Sequence, residues 1–161
     1  MSESPLVSVT VCVRDGEHWV EDCLNSLLQQ THRPLEIIAV NDGSSDDTKS
    51  KLDTWHEMHS DGEVPIHIIH QASLGLSAGR MAAVEQSIGV WIAITDIDVR
   101  PEPDWIEQML LASKPIDDES ISAVTGRTVF QAHDDVVSRF RALEIASKYR
   151  NRPRKTSLAN G

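Results

Sequence analysis

The feature that most constrains the fold is an alternation of two periodicities. Four short β-branched runs, LVSVTVCV (Leu6 to Val13), LEIIAV (Leu35 to Val40), PIHIIH (Pro65 to His70) and VWIAIT (Val90 to Thr95), are separated by longer amphipathic stretches. Brief apolar runs rich in Val and Ile suit buried strands better than helices. Between the first two, EHWVEDCLNSLLQQ sets Trp19, Val20, Cys23, Leu24, Leu27 and Leu28 on one helical face. A second helix is expected through Leu52 and Trp55, preceded by the turn-rich NDGSSDD with an N-cap at Ser44 or Ser45, and a third over LSAGRMAAVEQSI. Continuous apolar strands alternating with amphipathic helices predict parallel pairing, because right-handed crossovers place helices on both faces. The expected fold class is therefore α/β: a Rossmann-like, mostly parallel, doubly wound sheet.

Farther on, PDWIEQMLLAS reads as a helix and ISAVTGRTVF as a strand. DDVVSRFRALEIASKYR reads as an amphipathic helix with Val136, Val137, Phe140, Leu143, Ile145 and Ala146 near one side. At 161 residues the chain is the size of one domain, with no internal repeat. Residues 6–112 form its expected core and residues 113–161 the start of a further segment.

Composition excludes several classes. A net charge of −10 argues against nucleic acid as a partner, since phosphate backbones are bound by clustered Lys and Arg. The basic stretch KYRNRPRK (Lys148 to Lys155) reads as a solvated face or linker. Cys12 and Cys23 lie within apolar periodic segments and read as reduced core thiols. No run approaches the ~20 apolar residues of a membrane span, and MSESP lacks a signal peptide's apolar stretch. The expected location is cytoplasmic, with peripheral membrane contact left open.

In open parallel sheets ligands bind at the carboxyl ends of the strands, near the reversal of strand order. Three polar clusters fall there: CVRDG after the first strand, NDGSSDD after the second and TDID after the fourth. Asp96 and Asp98 are hard oxygen donors able to share a divalent cation completed by a diphosphate and water. They can equally end a strand and cap the following helix.

Together, VSVTVCVRDGEHWVEDCLNSLLQQTHRPLEIIAVNDGSSDDT, GLSAGR and GVWIAITDIDVRPEPDW resemble the nucleotide-sugar-binding half of family 2 glycosyltransferases, which have the GT-A fold. The resemblance covers roughly residues 6 to 112. It implies a metal-dependent inverting enzyme that moves a sugar from a nucleotide diphosphate to a hydroxyl acceptor, with UDP-sugars favoured and GDP-sugars a second option. Asp42 matches the acid that holds the base N–H, and Asp98 the DxD acid that ligates manganese or magnesium. Asp96 matches the first DxD acid, near ribose and sugar, and Arg80 the arginine near the nucleotide. Where the family usually carries Pro-x-Tyr-Asn, this chain has Cys12, Val13, Arg14 and Asp15; Arg14 offers a guanidinium plane for stacking on a base. Met81 stands where Asn is common. The resemblance places the catalytic base in a segment expected beyond the chain's end.

Two readings compete. A nucleotide-sugar-binding module without catalysis needs only the residues named. GLSAG (Gly75 to Gly79) also satisfies the nucleophile-elbow pattern, with Ser77, Asp96 and His133 in the order of an α/β serine hydrolase. Among the histidines, His56 and His59 are expected to face solvent, and His67 and His70, three apart on a strand, to point to opposite faces.

Overall fold

The computed structural model describes residues 4–114, 121–126, 128–129 and 135–150. The chain forms two compact units, Met1–Glu107 and Gln108–Gly161. The first contains β1 (Val7–Val13), α1 (Val20–Leu28), β2 (Leu35–Asp42), α2 (Thr48–His59), β3 (Ile66–Gln71), α3 (Leu76–Gln86) and β4 (Trp91–Asp96). Helix α4 (Trp105–Ala112) begins in it, and α5 (Val136–Arg150) belongs to the second.

All strand pairs are parallel, in the order β3-β2-β1-β4. The chain steps outward from β1 to β3 and then returns to the other side of β1, so strand order reverses between β1 and β4. The crevice outside their carboxyl ends is where a sheet of this kind receives a ligand.

Alternation along the strands sorts side chains between two helical layers. Ile38 and Val40 of β2 pack with Ala83 of α3, joined by Cys12 and Ile69. On the opposite face, His70 of β3 meets Asp53 of α2, and the buried Trp55 of α2 donates its indole N–H to Asn25 of α1 at 2.9 Å. Helices of 9 and 12 residues are marginal in isolation. Burial of Val20, Cys23, Leu24 and Leu27 on α1, and of Leu52 and Trp55 on α2, holds them, at about 1.5–3 kcal/mol for each large side chain.

Several sequence expectations are corrected. Helix α1 starts only at Val20, so Trp19 precedes it and is 41% exposed. Neither Ser44 nor Ser45 caps α2; Asp47 occupies the cap position without a side-chain cap bond, and Asp46 accepts from the Thr48 N–H at 3.0 Å. The two serines serve other loops instead. β4 is buried on one face only: Ile92 and Ile94 are 39% and 50% exposed, because α3 packs on β1, β2 and β3. His56 and His59 are half-buried rather than solvent-facing, with His59 stacked on Trp55 and donating to its carbonyl at 2.7 Å. Of the strand expected at 121–130, residues 121–126 and 128–129 are described and are not in a strand. β propensity alone makes no strand without a partner to complete the ladder. On α5, Val136, Val137, Phe140 and Leu143 are exposed.

At the amino-terminal edge a buried carboxylate fastens β4 to the sheet. Glu36, 2% exposed, accepts from the Ser8 hydroxyl and from the Ile88 N–H at 2.9 Å, while Gly89 N–H donates to Ser8 Oγ at 2.8 Å. Glu36→Ala would leave the buried Ser8 hydroxyl and the part-buried Ile88 N–H unpaired, and we expect a loss of about 1–3 kcal/mol in urea unfolding. Adding Ser8→Ala should recover part of that loss by removing one orphaned donor; additive losses would contradict this account.

Candidate functional site

Asp42 ends β2 and is 4% exposed. Its Oδ1 accepts from Gln71 Nε2 at 2.7 Å and from Leu74 N–H at 2.8 Å, and its Oδ2 accepts from Gly75 N–H at 2.9 Å. These contacts, the Gln71 bond first and the backbone N–H groups after it, hold the carboxyl below the usual carboxylate range despite burial, and the charge of Arg14 adds to them. Glycine makes the approach possible. Gly43 has φ 65°, and a Cβ there would lie 2.4 Å from the Ser73 backbone nitrogen. A carboxylate offers about four lone-pair sites, so one remains for a ligand.

The loop after β1 is stitched to the loop after β2. Asp15, at φ 51°, accepts from the Ser45 N–H at 2.6 Å and its hydroxyl at 3.1 Å, which lowers its pKa, and its own N–H donates to Ser44 Oγ at 2.9 Å. Gly16 N–H donates to Thr48 Oγ1 at 2.9 Å. Asp15 thus secures the loop, while Arg14, 3.8 Å from its carboxylate, is exposed.

Cys12, Val13, Arg14, Asp42, Gly75 and Leu76 line a hollow of about 170 Å³. Pockets that enclose a drug-sized ligand are about 300–1,000 Å³. This one suits a single ring system and leaves the rest of a larger ligand outside. Cys12 is half-buried rather than a core thiol. Burial pushes it up to about 11, against the opposing charge of Arg80 and with Asp42 and Asp96 adding to the rise, so it is a neutral wall.

At the next strand end, Asp96 pairs in register with Cys12. A Cβ on Gly79 would lie 3.4 Å from Cys12 Sγ, so α3 rests closely on β1 and carries Arg80 to Asp96. Arg80 Nη2 is 3.1 Å from Asp96 Oδ1, with the side chains 41% and 61% exposed. Asp98 is exposed, in the turn closed by Val99 N–H donating to the Asp96 carbonyl at 3.1 Å. It does not line the hollow. Burial pushes the Cys23 thiol up to about 12, and the charge of Asp98 adds to the rise. Among the described residues, no group of three or more His, Cys, Asp or Glu is arranged to hold a metal.

The structure therefore brings Cys12, Arg14 and Asp42 together, places Arg80 and Asp96 as a pair beside them, turns Asp15 to loop support and leaves Asp98 outside the lining of the hollow. Sequence reasoning missed Gln71, the N–H groups of Leu74 and Gly75, and a chain through Asn41. Asn41 Oδ1 accepts from the Ser44 N–H and hydroxyl at 3.1 and 2.6 Å, and its Nδ2 meets His70 Nδ1 at 3.2 Å. His70 Nε2 in turn donates to Asp53 at 2.8 Å. The signals were available in part: Asn41 and Gln71 are polar residues closing apolar strands. His67 and His70 do face opposite sides, toward Glu36 and Asp53. Ser77 is the second residue of α3 and exposed, Asp96 is engaged by Arg80, and His133 lies outside the described residues, so the hydrolase reading gains nothing.

The chain matches the model of Glycosyl transferase family 2 over residues 8–159. EpsH of Bacillus subtilis (strain 168), a candidate glycosyltransferase, is 40% identical over 108 residues, which is 67% of this chain and 30% of EpsH. The chain thus spans about a third of that relative's length. Among solved structures, the mannosyltransferase PcManGT from Pyrobaculum calidifontis, in complex with GDP-Man and Mn2+, superposes with a TM-score of 0.62 at 24% identity over 68% of this chain and 32% of its own. Residues 1–349 of TarS from S. aureus, in complex with UDP-GlcNAc, give 0.57 at 20% identity over 78% and 38%. A family match across nearly the whole chain, on a parallel sheet of the GT-A type, leads to one assignment: the chain belongs to glycosyl transferase family 2.

Proposed function

We propose that this chain is the donor-binding part of an inverting glycosyltransferase that moves a sugar from a nucleotide diphosphate to a hydroxyl acceptor, assisted by a divalent cation. The observation that carries the proposal is the hollow at the carboxyl ends of β1 and β2, where the ionised Asp42 faces the Arg14 side chain and the start of α3. In this reading a nucleobase enters between Arg14 and Leu76, and Asp42 accepts its ring N–H on the remaining lone pair. One remaining acceptor suits uracil, with a single imide N–H, better than guanine, whose pairing edge offers an N–H and an amino group. Arg80 takes a phosphate oxygen through a charge-assisted bond.

Asp98 is the proposed cation ligand, with Asp96 near ribose and sugar. Their donor chemistry fits manganese or magnesium, which is commonly held by one or two carboxylates and substrate phosphates rather than by an all-protein cage. When bound, the cation would neutralise charge on the departing diphosphate. The bound ligands named for PcManGT and TarS support a nucleotide-sugar donor without fixing which one this chain takes. Among the described residues no helix is long and apolar enough to cross a membrane.

Calorimetric titration tests the proposal. UDP should bind in the presence of Mn2+ more tightly than GDP, and Asp98→Ala should abolish the metal-dependent part of the affinity. Replacing the charged acceptor in Asp42→Asn should weaken UDP about 10- to 100-fold. Absence of nucleotide binding with and without the metal would refute the reading.

The lowered pKa of Asp42 gives a second expectation. A carboxyl whose folded value lies below the unfolded 3.8 contributes stability that is present above 3.8 and lost as pH falls through the lower folded value. In urea unfolding, the deficit of Asp42→Asn should be constant from about pH 8 to about pH 5 and shrink below 3.8. A deficit that grows on acidification would reverse the sign of the linkage.

A further inference from the structure

Arg80, proposed to take a phosphate oxygen, and Asp96, proposed to lie near ribose and sugar, are bound to each other. Arg80 Nη2 rests 3.1 Å from Asp96 Oδ1, and a bare phosphate approaching Arg80 meets a carboxylate already on it. The arrangement has local causes. Parallel pairing sets Asp96 beside Cys12, and Gly79 lets α3 lie against the Cys12 sulfur, so the next residue of the helix reaches the end of β4. The pair is open to water on both sides. Exposed pairs of this kind are worth a factor of about one to five in an equilibrium, so exchanging partners costs little. One other carboxylate stands close enough to act on the same neighbourhood: Asp42, like Asp96, raises the Cys12 thiol's pKa while Arg80 lowers it.

We propose that Asp96 is a specificity-determining residue. By occupying Arg80 it selects a diphosphate that arrives with a divalent cation over one that arrives bare. A cation brought to the end of β4 attracts the Asp96 carboxylate, which frees the guanidinium for a phosphate oxygen; without the cation, phosphate and carboxylate compete for one arginine. Discrimination then comes from a built-in repulsive element as well as from attraction to the correct ligand. The inference rests on the donor-binding reading above and concerns its regulation.

The test is a double-mutant cycle on the 161-residue chain, with UDP titrated in EDTA and in Mn2+. In EDTA, Asp96→Asn should bind UDP up to about fivefold more tightly than wild type, and the ratio of affinities with and without Mn2+ should fall. In an Arg80→Gln background the gain from Asp96→Asn should vanish, because there is no longer an arginine to release. Mn2+ alone, followed by water-proton relaxation, should bind Arg80→Gln more tightly than wild type, since the carboxylate is freed. Both replaced side chains are exposed, and far-UV circular dichroism checks that each variant is folded.

If Asp96→Asn fails to tighten UDP in EDTA, the exchange is overturned while the donor reading survives. An equal gain in the Arg80→Gln background would also overturn it, since the effect would then be simple repulsion through space. If wild type binds no UDP under either condition, the exchange falls together with the donor reading.

Discussion

Helix α3 is held at both ends by carboxylates of a single strand, and the rest of the site depends on that clamp. Glu36 and Asp42 lie six residues apart on one face of β2, about 20 Å at the rise of an extended strand. The helix with its flanking residues, from Gly75 to Ile88, covers about the same distance at 1.5 Å per residue. Asp42 receives the N–H groups of Leu74 and Gly75 just before the helix, and Glu36 receives that of Ile88 just after it. Both carboxylates are buried, and their bonds to the helix ends are part-buried, so water weakens them less than bonds at an open surface. The clamp fixes the helix along its axis and with it Gly79 and Arg80. The placing of Arg80 at the end of β4 is thus a consequence of what β2 carries at its two ends.

The same geometry explains why the hollow is small and one-sided. The loop after β1 cannot drift, because Asp15 is tied to Ser45 and Gly16 to Thr48. The loop before α3 cannot drift, because Asp42 holds it. Between these walls there is room for a flat ring, with the neutral thiol of Cys12 and the side chain of Leu76 as apolar surfaces and Asp42 as the buried polar group. A ligand of any greater length must run out along the ends of β1 and β4, toward Arg80 and Asp96.

Much of this was legible in the sequence, and the omissions have physical reasons. The four strands and three intervening helices follow from periodicity, most directly β1, β2 and α1, whose apolar runs are buried. Asp42 and Asp96 were found because carboxylates at the ends of apolar runs are conspicuous. Gln71 and the N–H groups of Leu74 and Gly75 were not, since their role depends on a contact more than 25 residues away in the chain, brought about by parallel pairing of β2 and β3. Serine caps helices locally, which predicts a cap at Ser44 or Ser45; the structure uses both across loops, beside the left-handed turn at Asp15. Ile92 and Ile94 read as buried because the run containing them is apolar throughout, whereas coverage of a strand face depends on which strands a helix spans.

Charge pairing along the carboxyl edge gives the last step. Arg14 faces Asp15, Arg80 faces Asp96 and Arg100 faces Asp22, so each of these cations has an acidic neighbour before any ligand arrives. In a chain of net charge −10 such pairing leaves little positive potential to draw in an anion from a distance. Every one of the pairs is exposed and individually weak, whereas a charge-assisted bond from a guanidinium to a phosphate is about twice as strong as a neutral one. An edge built this way holds its arginines in place at little energetic cost and, on the exchange proposed above, surrenders them more readily to a ligand that compensates the displaced carboxylates. A dianionic phosphate group alone adds to the acidic excess; the same group carrying a divalent cation does not. The net acidity of the chain is, on this account, also what makes its candidate site selective among phosphates.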